Sequence, residues 1–491
     1  MHTPDQVNER KDSQIPHDSA AEPSVRRRYG RIWIISTIAL TLILGVILVV
    51  PGVFAQRQDR GDQLNELFRQ VYEYVEQNFV EDVDPEVLIE GALRGMFEAL
   101  DDPYSEYLDE RSLQDLRDTS RGQFGGVGMI ITKQTLSEVG ENNPRYIKVV
   151  SPIEGTPASR AGVRPNDLIL SVEGESTAEY STEEVANQLR GEPGTDVDFL
   201  IRRASGVELP ITVTRALIEV PTVRHAMIND TVAYLRITQF TPFTASRAQE
   251  AISEFDQAGY ESLVVDLRSN PGGLLDSAVD VADLFLSGGL VVGTSGRGSG
   301  TSDTLRARPG AIVDQDIAIA ILTDGGSASA AEILAGALKD RGRGSIVGET
   351  TFGKGSVQVA RDLGLGEFKL TISRYYTPDG HFIHGQGIDP DFPVAPPELQ
   401  EDESDDFSEL VRSGRIPQFV DRNPDPSESE IQGFLETLEG EGYELREWFV
   451  RQLIHSEVLA RSDEVLIFDL EFDPVLERAV ELLETGRIST R

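Results

Sequence analysis

The sequence predicts an α/β core with an inserted β-rich domain and helical regions at both ends. Three observations predict it. Between Thr231 and about Pro396, short apolar runs alternate with amphipathic helical stretches, the pattern of a sheet covered by helices. From about Gln123 to Arg203 the apolar runs are short and punctuated by Gly and Pro, as in a small domain of strands and turns. The flanking stretches 62–118 and 396–491 place apolar residues at helical spacing.

At 491 residues the chain exceeds one ordinary hydrophobic core, so several domains are expected. Its 45 basic residues are outnumbered by 83 acidic ones, giving a net charge of −38, which argues against nucleic acid or anionic headgroups as partners. There is no cysteine, so disulfides, thiolate catalysis and cysteine metal sites are excluded. The six histidines show no metal-binding spacing: His381 and His384 follow the turn Pro378-Asp379-Gly380 without a carboxylate between them and read as solvated or structural. No metal or organic cofactor is implied. Only six of the basic residues are lysines, which makes each lysine position informative.

Residues 1–31 are polar, end in the cluster Arg26-Arg27-Arg28 and Arg31, and read as a disordered cytoplasmic tail. Ile32 to Val50 is a run of 19 residues without charge, so residues 32–54 are expected to form a transmembrane signal-anchor with the amino terminus in the cytoplasm. This predicts a single-pass protein of the cell membrane whose bulk is extracytoplasmic. Val53-Phe54-Ala55 also fits a signal-peptidase site, and cleavage after Ala55 would give a secreted protein instead.

Over 62–118, Leu64, Leu67, Phe68, Val71, Tyr72 and Val75 recur at helical spacing, as do Val87, Leu88, Leu93, Met96, Phe97 and Leu100, predicting a packed helical subdomain. Over 119–204, Phe124-Gly125-Gly126-Val127-Gly128 precedes an apolar strand. Its glycines allow successive amides to face one concavity that suits a carboxylate. A helix at Ser181–Leu189 would form the other wall of a groove. Over 205–395, strands are expected at Val232–Ile237, Ser262–Leu267, Ile317–Leu322 and Ser345–Val347, with helices at Ala245–Ala258, Leu275–Phe285 and Ala330–Arg341. Residues 396–491 begin acidic and resume helical periodicity from about Glu428.

Three loops of this core could carry chemistry. Ser329 follows a buried strand at a strand-to-helix turn, where the free amide of Ala330 could hold a developing oxyanion. Ser329 with Glu332 also makes an S-x-x-E capping box, so on this loop alone it reads as a cap. Asp266-Leu267-Arg268-Ser269-Asn270-Pro271-Gly272-Gly273 closes another strand on a Gly-Gly turn, and one of Gly272 and Gly273 could supply a second oxyanion donor. In the third loop Lys354 lies between two glycines ahead of a strand, where Lys354, Ser356 and Gln358 would share a face and Gln358 could orient the amine.

These segments, D-L-R-S-N-P-G-G, G-G-S-A-S-A-A-E and G-x-x-x-F-G-K-G-x-x-Q in that order, resemble the carboxyl-terminal processing peptidases, or tail-specific proteases. Gly91-Ala92-Leu93-Arg94-Gly95-Met96, Leu100-Asp101-Asp102-Pro103-Tyr104-Ser105 and Gly385-Gln386-Gly387-Ile388-Asp389-Pro390-Asp391 also match, and Ser159 to Gly174 resembles the turn and strand of PDZ domains. The resemblance covers about residues 62 to 395. It implies an α/β serine-protease core at 205–395 with an inserted PDZ-like domain at 119–204. It also implies Ser329 as nucleophile, Lys354 as general base, Gln358 orienting Lys354, and an oxyanion hole from Ala330 and the Gly272-Gly273 turn. Peptide binding would fall to Phe124, Gly125, Gly126, Val127 and Gly128, with Arg190 coupling it to the active site. Family members usually carry asparagine where this chain has Ser269. The implied partners are protein substrates with accessible or unfolded C-terminal tails, the membrane through the N-terminal helix, and a second copy through the amino-terminal helices; no nucleic acid is implied. The alternative is a catalytically inactive PDZ scaffold presenting partners at the membrane.

Overall fold

The structure is a computed structural model that describes residues 61–108, 121–134, 139, 143–153, 155–203, 205–298, 300–362, 366–462 and 466–489. The chain divides into two units, Met1–Gly95 and Met96–Arg491. In the first, residues 61–78 are helical and a second helix, Pro85–Glu98, begins. The helices form where the periodicity places them, but Leu64, Leu67, Phe68, Val71, Tyr74 and Val87 are exposed rather than packed.

The single-pass membrane placement is corrected. No helix among the described residues is long and apolar enough to cross a membrane. The run 32–50 on which that expectation rested, the tail 1–31 and the cleavage site at Ala55 all lie outside the described residues.

The core of the second unit is a six-stranded sheet. Val232–Ile237, Ser262–Asp266, Ala318–Thr323, Ser345–Gly348 and Phe392–Pro393 run parallel in that spatial order, and Val223–Met227 pairs antiparallel with the first of them. These strands are almost wholly apolar because both faces are covered. Side chains alternate between the faces with period two. Ala233, Leu235, Ile237, Leu263, Val265, Ile319, Ile321 and Ile346 face a core shared with helices Thr244–Ala258, Leu275–Phe285 and Ala330–Asp340. Val232, Tyr234, Val264, Ala320, Leu322 and Val347 face the opposite side.

That opposite side is covered by the last helix of the chain. Pro474–Glu484 lays Val475, Leu476, Ala479, Val480, Leu482 and Leu483 on it. The carboxyl-terminal region is therefore two things. Helices Ser404–Arg412, Arg415–Arg422, Glu428–Gly440 and Glu447–Arg461 pack around their own cluster, centred on Leu410, Val420, Val450 and Ile454, while the final helix completes the α/β sandwich.

A second sheet, absent from the sequence expectations, is antiparallel. Glu367–Tyr376 lies at its centre and pairs with Glu106–Leu108, Ser356–Asp362 and Gly289–Gly296, the last of which also pairs with Asp303–Ala307. It carries the segment after Lys354 and anchors the turn 101–105.

The β-rich module has the strands Met129–Lys133, Ile147–Pro152, Leu168–Val172, Asp196–Arg202 and Glu208–Thr214 in sheet order, with Met129–Lys133 at an edge. Helix Thr182–Leu189 starts at a full capping box made by Ser181 and Glu184 and lies beside that edge strand. An edge strand facing a helix is the geometry for adding an extended peptide.

Candidate active site

Three loops leave the carboxyl ends of adjacent parallel strands, where open α/β sheets place their crevices. They follow Asp266, Thr323 and Gly348. The sequence-predicted residues Gly272, Gly273, Ser329, Ala330 and Lys354 all lie on them.

Ser329 has φ 55° and ψ −114°. Two other S-x-x-E boxes give a comparison: Ser181 (φ −69°, ψ 166°) and Ser427 (φ −69°, ψ 156°) are extended, as N-caps normally are. Ser329 is not. A serine held at positive φ costs backbone energy, and such residues persist where the surroundings fix them, often at functional sites. Ser329 does make the capping box with Glu332, as the sequence suggests, but unlike Ser181 and Ser427 its backbone conformation is not explained by capping alone.

The Gly-Gly turn packs directly on this serine. A Cβ on Gly272, whose φ is +103°, would stand 2.7 Å from Ser329 Cβ and 2.9 Å from the Ala330 amide nitrogen. Buried Asn270 holds the turn: its Nδ2 donates to the Ile237 carbonyl at 2.8 Å, its Oδ1 accepts from the Gly272 amide at 2.9 Å, and its carbonyl accepts from the Ala328 amide at 2.9 Å. The Gly272 amide is thus engaged. Ala330, at the first position of its helix, and Gly273 are the two predicted donors left to face a substrate oxygen.

Ser269 also has positive φ, 55°. Asparagine tolerates that conformation better than most residues, which gives a physical reason for the family's preference. In this chain the Ser269 amide and hydroxyl donate to the two oxygens of Asp324 at 2.8 and 3.0 Å, joining the first loop to the second.

Glu332 joins the second loop to the third. It is fully buried and accepts from the Ser329 amide (2.8 Å), the Lys354 amide (2.8 Å), the Gly353 amide (2.7 Å) and the Thr351 hydroxyl (2.6 Å). Burial pushes its pKa up, against the pull of these donors. Sequence reasoning saw Glu332 only as a capping partner, and no local signal marks the other three bonds.

Lys354 is half-buried between Gly353 and Gly355. A Cβ on Gly355 would meet the His384 amide nitrogen at 2.3 Å, so the glycine lets the loop lie flat on the 383–387 turn. Burial pushes the lysine pKa below its ordinary value; Lys369 adds to this and Glu332 opposes it. The amine lies 4.9 Å from the centre of the Tyr104 ring. Gln358 is on the following strand, but its amide nitrogen donates to Ser356 Oγ (2.8 Å) and Thr371 Oγ1 (3.3 Å) rather than meeting the lysine. Ser356 and Gln358 share a face as expected; Lys354 precedes the strand, which begins at Ser356.

A further residue set lies behind the first loop. Arg268 donates to buried Asp266 through Nε (3.0 Å) and Nη2 (2.6 Å), and to Asp473, the N-cap of the last helix, through Nη1 (2.7 Å) and Nη2 (2.6 Å). The Tyr234 hydroxyl donates to Asp266 at 2.6 Å. The base of the glycine loop is thereby tied to the start of the helix Pro474–Glu484.

Of the predicted peptide-binding residues, Phe124, Gly125 and Gly126 lie on a strand that pairs with Ala216–Glu219 outside the sheet of the β-rich module, and Arg190 caps the end of its helix. Gly125 and Gly126 end the strand Gln123–Gly126, and Gly125 accepts the Gly191 amide at 3.1 Å, with no room for a side chain. Val127 is buried and its carbonyl accepts the Ala158 amide at 2.8 Å. Gly128 has φ +81°. Arg190 is exposed, and its guanidinium lies 5.3 Å from the Phe124 ring centre, so two of the predicted residues are in contact.

Comparison with known proteins places this architecture. Residues 231–394 match the sequence profile of Peptidase family S41, residues 148–203 that of the PDZ domain, and residues 52–112 that of the activating protease CtpB N-terminal domain. The chain is 40% identical over 376 residues to a carboxy-terminal-processing protease of Bartonella bacilliformis, covering 72% of this chain and 84% of that one. It is 34% identical over 408 residues to a probable CtpA-like serine protease of Staphylococcus aureus, with 82% and 80% coverage. It is 31% identical over 369 residues to carboxy-terminal processing protease CtpA of Bacillus subtilis, with 74% and 77% coverage. Among solved structures, the photosystem II D1 C-terminal processing protease is 31% identical, with 68% of this chain and 88% of that one covered and a TM-score of 0.41. Nothing in these comparisons supports the inactive scaffold.

Proposed function

The chain belongs to peptidase family S41, among the carboxy-terminal-processing serine proteases that carry a PDZ domain, and we propose that it cleaves proteins with a Ser329-Lys354 dyad after binding their C-terminal tails. The observation that carries the dyad is the backbone of Ser329, held at positive φ at a helix start with Gly272 against its Cβ.

In this reading the neutral amine of Lys354 takes the proton of the Ser329 hydroxyl as its Oγ attacks the scissile carbonyl. The amides of Ala330 and Gly273 receive the oxyanion, and holding that developing charge commonly does more for the rate of acyl transfer than any other single effect. The resulting ammonium returns its proton to the leaving amine, and water then hydrolyses the ester. Burial of Lys354 favours the neutral amine that the first step needs. Gln358 acts through Ser356 and Thr371, fixing the strand that follows the lysine loop. Tail binding is assigned to the edge strand Met129–Lys133 and the Phe124–Gly128 segment, with Arg190 beside them. The exposed apolar residues of 61–78 suit association with a second copy.

The test compares one unfolded protein with a free and with an amidated carboxyl terminus, digested by the full chain. Faster cleavage of the free form is expected. Equal rates would remove tail recognition, and no cleavage of either would remove the peptidase reading.

A further inference from the structure

The motif Asp101-Asp102-Pro103-Tyr104-Ser105 has no role in the dyad, yet it folds against the lysine. Asp102 organises the turn, accepting the Tyr104 amide at 3.3 Å and the Ser105 hydroxyl at 2.5 Å. Ser105 Oγ in turn accepts the Thr371 amide at 2.9 Å, and Thr371 Oγ1 accepts from Gln358 at 3.3 Å. The pairing of Glu106–Leu108 with Glu367–Lys369 fixes the same segment to the antiparallel sheet. The turn is therefore bolted to the strand that receives Gln358.

Its aromatic side chain points at the amine. Lys354 Nζ is 4.9 Å from the Tyr104 ring centre. His384, read from sequence as solvated or structural, also meets the Tyr104 ring, with ring centres 6.4 Å apart in an edge-on arrangement at 74°. A cavity of about 640 Å³ adjoins the lysine loop, lined by Leu100, Tyr104, Phe352, Leu370, Arg374 and His384 among others. The charged and titratable groups around the amine are Lys369 and Glu332, which act on it electrostatically, and Asp101, Asp102, Arg374 and His384 in the cavity wall. Lys369 is itself paired with Glu106 at 2.6 Å. No carboxylate is in hydrogen-bonding contact with the amine among the described residues, and the Tyr104 ring lies under it at 4.9 Å, a second source of favourable electrostatics beside Glu332.

We propose that Tyr104 is a positioning residue for Lys354, holding the lysine amine on its ring face between catalytic steps. This rests on the reading of Lys354 as the general base. A cation over an aromatic face is attracted by the ring quadrupole, whereas the neutral amine is not. The ring therefore favours the ammonium form and offsets part of the push that burial gives toward the neutral one. It sets where the amine waits and how readily it gives up its proton. The hydroxyl of Tyr104 plays no part, so phenylalanine serves equally.

The test uses the full chain with its lysines 13C-labelled at the ε carbon. With six lysines in the sequence, the Lys354 signal is assigned by its loss in Lys354→Arg. In the wild type, the Lys354 ε-methylene protons should resonate upfield from those of exposed lysines through the ring current; normal shifts would overturn the proposal without any variant at Tyr104. Tyr104→Phe should leave the Lys354 titration midpoint and kcat unchanged. Tyr104→Leu should lower that midpoint by roughly half a pH unit, move the acid limb of kcat/KM by the same amount and reduce the plateau kcat. An unchanged midpoint in Tyr104→Leu, or an equal shift in Tyr104→Phe, would contradict it. If the midpoint moves while the acid limb does not, the contact with Tyr104 stands and the general-base reading of Lys354 falls.

Discussion

Ser329 and Lys354 donate their backbone amides to the same carboxylate oxygen, Oε2 of Glu332, each at 2.8 Å. The two residues lie 25 positions apart in sequence and meet at a side chain that neither composition nor motif assigns to the reaction. Since Oε2 fixes both backbones, it fixes their separation. Glu332→Gln keeps the volume but leaves one acceptor oxygen for two of the four donors and turns an NH2 toward the other two. We expect kcat to fall by ~10²-fold, the scale of a roughly 1 Å misplacement, with KM little changed. Steady-state kinetics on an unfolded protein substrate checks this; wild-type kcat in a folded Glu332→Gln would contradict it.

The Gly-Gly turn gives a second prediction. Gly272→Ala would place a Cβ 2.7 Å from Ser329 Cβ at a φ of +103°, so the serine or the turn must move. Activity should fall at least ~10²-fold, as expected when oxyanion geometry is lost. Circular dichroism should remain that of the wild type. Full activity would show that this turn is not part of the oxyanion site.

The carboxyl-terminal helix should matter to the peptidase core. Asp473 caps that helix and pairs with Arg268. Asp473→Ala removes the cap and leaves Arg268 with Asp266 alone. A loss of about 1–2 kcal/mol is expected from the cap, read as a lower midpoint in urea unfolding, together with reduced kcat as the base of the glycine loop loosens. Unchanged stability would mean that the link is not energetically significant.

Four of the six strands of the central sheet were legible in the sequence to within a residue at their ends, whereas the edge strands Val223–Met227 and Phe392–Pro393 were not. Val232–Ile237 and Leu275–Phe285 coincide with their expected ranges, because a strand buried on both faces reads as a short continuous apolar run and a helix with one apolar face carries a strong periodic signal. The antiparallel sheet was not legible. Glu367–Tyr376 is mostly half-buried, and its pairing with Glu106–Leu108 depends on a closure that no local pattern announces. The last helix read correctly as a helix, yet nothing in its periodicity says which surface it covers. At the site, the loops carrying Ser329, Lys354 and the Gly272-Gly273 turn were readable from residue order. Glu332, Tyr104, His384 and Asp473 were not, since their partners come from segments that only folding brings together.

Ahead of the residues that match the PDZ domain, Gly126 is the proposed tail-binding position where a substitution should weaken binding while sparing the fold. A Cβ there would stand 3.1 Å from the Phe124 ring and 3.6 Å from Arg190 Cα, whereas one on Gly125 would strike the Gly191 carbonyl at 2.1 Å. Gly126→Val should therefore displace Phe124 and Arg190 and weaken binding of a peptide with a free carboxyl terminus by ~10-fold or more, which is about 1.4 kcal/mol. Calorimetry measures this directly. Unchanged affinity would place the tail-binding site elsewhere.

The dyad itself is tested by Lys354→Arg. Burial holds the lysine pKa below its ordinary value, so the neutral, reactive amine is reached at lower pH than for a solvated lysine. The wild-type rate should rise with pH through that lowered pKa. Arginine keeps the charge but stays protonated at any working pH and cannot accept the serine proton. Folded Lys354→Arg, with peptide binding intact, should show no measurable cleavage of an unfolded protein at any pH where the wild type is active. Cleavage by Lys354→Arg at the wild-type rate would contradict it.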